Sequence, residues 1–122
     1  MDSILTSIKK LLGITEEYEH FDADIIMHIN SVFMLLNHLG VGPENGFSIS
    51  DKLSTWNDYL PEGSKNLEAV KSYMNLKVKL LFDPPQSSSV MECYKQMASE
   101  LEWHLNVEAE SGGKEGNQNG TV

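Results

Sequence analysis

Two adjacent prolines, Pro84 and Pro85, interrupt a helical apolar pattern in "KLLFDPPQSSSVMECYK". A proline lacks the amide donor and its ring clashes with the preceding turn, so carrying a helix through one costs roughly 3 kcal/mol. The residue before a proline is pushed toward extended geometry, which predicts that Asp83 already leaves the helix. Downstream, Ser89-Val90-Met91-Glu92 reads as S-x-x-E, a capping box. Ser89 accepts from the Glu92 amide while the Glu92 carboxylate reaches back, for about 1 kcal/mol. Asp83, Pro84, Pro85, Ser89 and Glu92 therefore predict a rigid corner between two helices.

The rest of the chain repeats the helical period. "DSILTSIKKLLG" puts Ile4, Leu5, Ile8, Leu11 and Leu12 on one face, with Gly13 as a stop. After the acidic linker "TEEYEHF", Asp22 is expected to cap a long helix with Ile25, Ile29, Val32, Leu36 and Leu39 facing inward and Gly40 ending it. "VGPENGFSIS" reads as a loop. "DKLSTWNDYL" reads as a short helix capped by Ser50 or Asp51. "NLEAVKSYMNLKVKLLF" and "VMECYKQMASELEWHLNV" are the last two helices, the latter with Val90, Tyr94, Met97, Leu101 and Leu105 as its core stripe. From Glu108 the chain is rich in glycine and poor in apolar side chains, too little to offset the entropy of ordering. The expected architecture is all-α: a compact bundle of about four to five helices over 1–107, then a flexible Gly-rich acidic C-terminal tail over 108–122.

The 122 residues carry nine lysines, no arginine and eighteen acids, for a net charge of -9. Arginine is the usual reader of guanines and clamp for phosphates, so this balance disfavours a nucleic-acid reader. Cys93 is the single cysteine, which excludes an intrachain disulfide and a four-cysteine zinc site. The N-terminal stretch is unlike a secretory signal, and no apolar run approaches membrane-spanning length, so no membrane partner is expected.

On helical wheels four residues sit where the core pattern does not put them. Met27 and Met34, one heptad apart, lie on a face otherwise made of Asn30, Ser31, Asn37 and His38. Trp103 lies nearly opposite the core stripe of its helix, beside Glu92 and Gln96. These are either scattered surface hydrophobes or protein–protein contacts, since Trp and Met are enriched at interface cores. Lys77 falls within an apolar arc made by Val70, Tyr73, Met74, Leu80 and Leu81. Either its ammonium snorkels to solvent or it forms an ion pair within the fold or between subunits.

Catalytic chemistry is not indicated. His20, His28, His38 and His104 show no zinc-peptidase spacing, and no calcium loop, phosphate-cradling glycine loop or nucleophile elbow occurs. Cys93 lies near the start of its helix and beside the apolar stripe, where a packed, inert thiol is expected. Lys65, Lys71, Lys77 and Lys79 gather about one helix, as a solvated face or a basic strip for an acidic partner. No cofactor, no metal and no enzyme activity are expected.

Three stretches, "FDADIIMHINSVFMLLNHLGVGP", "NLEAVKSYMNLKVKLLFDPPQSSSVMECYKQ" and "ELEWHLNV", together resemble the head–tail connector (head-completion adaptor) family of tailed phages. The F-D-P-P corner with the following S-S-x-V-M run is their most specific part, similar to the version in phages of Gram-positive bacteria. The resemblance implies a virion protein of the neck that forms a homo-oligomeric, dodecameric ring beneath the portal. Such a ring extends the DNA channel, lets DNA pass without sequence-specific binding and receives the next neck or tail-completion protein. It also implies the head–tail junction as location, with the host cytoplasm during assembly. The competing expectation from the residues alone is a soluble helical interaction module, such as a small dimeric regulator acting through Met27 and Met34 or Trp103.

Overall fold

The computed structural model describes residues 3–61 and 63–121, with side chains through residue 110. Its helices are α1 (Ile4–Leu11), α2 (Asp22–His38), α3 (Trp56–Tyr59), α4 (Leu67–Phe82) and α5 (Ser88–Thr121). No strand occurs among the described residues, only an isolated bridge between Ser3 and Thr55. The all-α expectation therefore holds. Most of the segment expected as a tail, 111–122, lies outside the described side chains. Ala109 packs against the core, so the packed body reaches past the expected boundary at 107.

Helix α4 lies against both α2 and α5, and α1 packs on α2. The α2 stripe is as the period predicts: Ile25, Ile29, Val32 and Leu36 are buried, joined by Phe33. Both glycine stops are realised. At the end of α1, Gly13 N–H donates to Lys10 O and Ile14 N–H to Lys9 O. At the end of α2, Gly40 N–H donates to Asn37 O and Val41 N–H to Leu36 O. This pairing satisfies the last carbonyls and needs a left-handed residue at the stop, which Gly40 supplies with φ +87°.

The loop after α2 is folded onto it by one side chain. Asn30 accepts from Ile49 N–H at 2.8 Å and donates to Ile49 O at 2.9 Å, replacing a strand partner for a buried residue. Phe47, Phe33 and Tyr59 then cluster with ring centroids 4.6 to 5.2 Å apart. Gly42 passes so close to the Tyr59 ring that a Cβ there would stand 2.6 Å from it. Burial pushes the Tyr59 phenol well above its ordinary pKa, so it stays protonated and donates to Val41 O.

Several expected caps move. Phe21 occupies the N-cap of α2, and Asp22 is the first helical residue rather than the cap. Helix α3 starts later than expected, because Asp51 accepts from Leu53 N–H in a local turn that competes with helix. Thr55 is the cap there, and its N–H donates to the Asp58 carboxylate at 2.8 Å.

The largest departure is Lys9, only 2% exposed. Its ammonium donates to Glu16 O at 3.0 Å and Tyr18 O at 2.7 Å, and lies 2.8 Å from the Asp22 carboxylate. Leu11, expected in the core, is instead 59% exposed. A buried ammonium is tolerated when its charge is answered and its donors find acceptors: the two carbonyls take hydrogen bonds, and the Asp22 carboxylate, close but not aligned for a hydrogen bond, answers the charge. Lys9→Met removes the donor and strands two carbonyls and a carboxylate. We expect a loss of about 3 kcal/mol in urea unfolding; a loss below about 1 kcal/mol would show that the linker holds without it.

Candidate assembly surfaces

The corner begins as the prolines require. Asp83 has left the helix (φ −148°, ψ 70°), yet its N–H still donates to Lys79 O. Its carboxylate accepts from the Lys79 ammonium at 2.8 Å, clamping the last turn of α4. The expected Ser89–Glu92 capping box is not formed. Helix α5 starts at Ser88, and Ser87 accepts from Val90 N–H at 3.4 Å while Met91 N–H donates to Ser87 O. Ser89 and Glu92 thus fall inside the first turns, both exposed. Three consecutive serines offer competing cap positions, and the chain uses the first that clears the prolines.

The first turns of α5 are only partly covered. Of the expected stripe, Leu105 is buried, Tyr94 and Leu101 are half-buried, and Val90 and Met97 are exposed. Ala98 is the first buried residue of the helix. Cys93, expected to pack, is exposed. Leu81, near the end of α4, is exposed as well.

Met27 and Met34 on α2 are 57% and 56% exposed, and Trp103 on α5 is 70% exposed, each off the core face as the wheels predict. Lys77 sits at the α4–α5 seam rather than amid the core, because Leu76 and Val78 take the buried positions beside it. Its ammonium stands 3.8 Å from Glu102, the neighbour of Trp103. Glu102 also accepts from the Tyr73 hydroxyl at 2.6 Å. Burial, then that hydrogen bond and the Glu102 charge, push the Tyr73 phenol far above its ordinary pKa and keep it a donor.

The lysine strip is largely compensated. Lys71 lies 3.8 Å from Glu68, Lys77 faces Glu102 and Lys79 faces Asp83. Lys71 also rests 5.8 Å over the Trp56 ring, and the Trp56 indole donates to Ser7 Oγ. There an open groove of about 290 Å³ is lined by Ser7, Ile8, Lys10, Leu11, Trp56 and Lys71. Sequence reasoning missed it because Leu11 satisfies the core period yet faces solvent. Among the described residues no cluster of three His, Cys, Asp or Glu is placed to hold a metal ion, and no helix is long and apolar enough to cross a membrane.

Compared with known proteins, residues 4–112 match the family model described as phage connector protein. No curated protein and no solved structure matches the chain.

The seam makes Lys77 and Glu102 unequal. Lys77→Met removes a part-exposed ion pair and should cost no more than about 1 kcal/mol. Glu102→Ala also strips the Tyr73 hydroxyl of its acceptor and should cost more, about 2 kcal/mol. Thermal or urea unfolding of the two variants checks the order.

Proposed function

Because the chain belongs to the phage connector protein family, matched over residues 4–112, we propose that it is a structural head–tail connector of a tailed phage. In this reading copies of the chain form a ring, dodecameric by resemblance, beneath the portal at the head–tail junction. The ring extends the DNA channel and offers a platform to the next neck or tail-completion protein. It assembles in the host cytoplasm, and the phage is one infecting Gram-positive bacteria. The family match carries the proposal.

The physical chemistry supports it. A duplex must slide through such a ring, and a chain with no arginine and a net charge of -9 makes few lasting phosphate contacts. Met27, Met34, Trp103 and the exposed Val90 and Met97 of α5 are available to neighbouring subunits. The expected chemistry is mechanical: the protein holds a channel in register and catalyses nothing.

The test is mass measurement of the full chain in solution, followed by negative-stain imaging with and without portal. Rings seated on the portal are expected, with the free chain either monomeric or assembled. A dimer that ignores portal would instead support the regulator reading. The corner supplies a sharper variant: Pro84→Ala with Pro85→Ala should leave far-UV circular dichroism nearly unchanged while impairing ring formation. Normal rings from that double variant would reduce the corner to a helix stop.

A further inference from the structure

The groove between α1, α3 and α4 combines an apolar floor with two ammonium groups. Ile8 is buried at its base, Leu11 and Trp56 form its walls, and Lys10 and Lys71 stand at its rim. Among the described residues no carboxylate lines it. The nearest acid to Lys71, Glu68, is highly exposed and 3.8 Å away, a weak i,i+3 pair.

Elsewhere the same chain carries the matching shape. Trp103 is the most exposed aromatic side chain among the described residues, on a ridge of α5 with Gln96, Ser99 and Glu100. Glu100 lies one turn before Trp103 and so shares its side of the helix. Because each copy carries a net charge of -9, two copies repel unless their contact sets lysines against carboxylates.

We propose that the α1–α3–α4 groove receives Trp103 of a second copy of this chain, with Glu100 of that copy reaching Lys10 and Lys71. The groove and the knob are different surfaces on different helices, so the contact is head to tail. Such a contact repeats from copy to copy and closes into a ring when the rotation allows. The inference rests on the connector reading and gives its ring a subunit interface.

Two variants separate the halves of the contact. Trp103→Ala deletes the knob and leaves the groove. Lys10→Glu with Lys71→Glu spoils the groove and leaves the knob. Trp103 and Lys10 are exposed and Lys71 is partly exposed, and unchanged circular dichroism and thermal unfolding confirm the fold. Each variant alone should self-associate about 30-fold more weakly or worse, as for removal of an interface anchor, and should fail to form rings on portal. Mixed in equal amounts, the two should form dimers and nothing larger in sedimentation velocity, since one knob and one groove remain. Adding Glu100→Lys to the groove variant should restore assembly. If both variants form rings like the unsubstituted chain, this contact is wrong while the connector reading stands. If copies of Trp103→Ala still associate but no longer hold portal, the Trp103 ridge belongs to the portal and the proposal is overturned. A full chain that neither self-associates nor rings on portal removes both readings.

Discussion

The Lys9 ammonium holds together parts of the chain that have little else in common. Helix α1 is eight residues long, too short to persist by backbone hydrogen bonding alone. At its C-terminal end Lys9 gathers two carbonyls of the linker and the first carboxylate of α2. At its N-terminal end Ile4 N–H donates to Ser54 O, and midway the Trp56 indole donates to Ser7. The helix is therefore fixed at three points along its length, on both flanks of the face where Ile4, Leu5 and Ile8 are buried. The linker follows, bringing Phe21 to within 5.4 Å of Phe82 and tying the start of α2 to the end of α4. The groove beside Trp56 exists only because α1 is held in this position.

What the sequence makes legible is what short-range rules govern. The α2 stripe, the two glycine stops and the departure of Asp83 from α4 each follow from periodicity or backbone sterics over a few residues. Lys9 was harder. It stands four residues after Leu5 and three before Leu12, inside the apolar arc of α1, and that spacing is the signal that was available. Its oxygens come from a linker whose path no pattern shows. Lys77 drew attention by the same wheel argument but lies at the seam, because the arc of α4 turns toward Leu76 and Val78. A helix facing two neighbours has a wider apolar arc than one facing one, so its edges are poorly placed from sequence. The Ser89–Glu92 box failed on register alone: Ser87 caps instead, and three adjacent serines cannot be ranked without the backbone.

The disagreement over α5 has a different cause. Val90, Tyr94, Met97, Leu101 and Leu105 keep the helical period throughout, yet Val90 and Met97 are exposed and Tyr94 is only half-buried. Periodicity records which side chains a sequence is built to bury, whereas accessibility in one copy records only what that copy buries. Where the two part, at Val90, Met97 and Leu81, the difference marks surface whose cover the single chain does not provide. The same reasoning does not extend to Met27, Met34 or Trp103, which lie off the core period; their case rests on side-chain type and exposure.

The corner connects these observations mechanically. The direction of α5 depends on how firmly its root is held. Here the Lys79–Asp83 clamp fixes the end of α4, the prolines restrict the turn, and Ser87 starts α5 within a few residues. Further along, Tyr73 and Lys77 of α4 hold Glu102, and Leu105 and Ala109 bury against the core. The first turns of α5 are thus set in direction by contacts at both their root and the buried half of the helix. Trp103 neighbours Glu102 and inherits that rigidity, so an exposed aromatic ring is presented with little backbone freedom left to lose on contact. In the proposed contact, a preorganised knob and a lysine-rimmed groove would put the attraction between like-charged copies into one defined geometry. A ring of the kind proposed closes only with a fixed angle at each junction, and so depends on that kind of constraint more than on affinity.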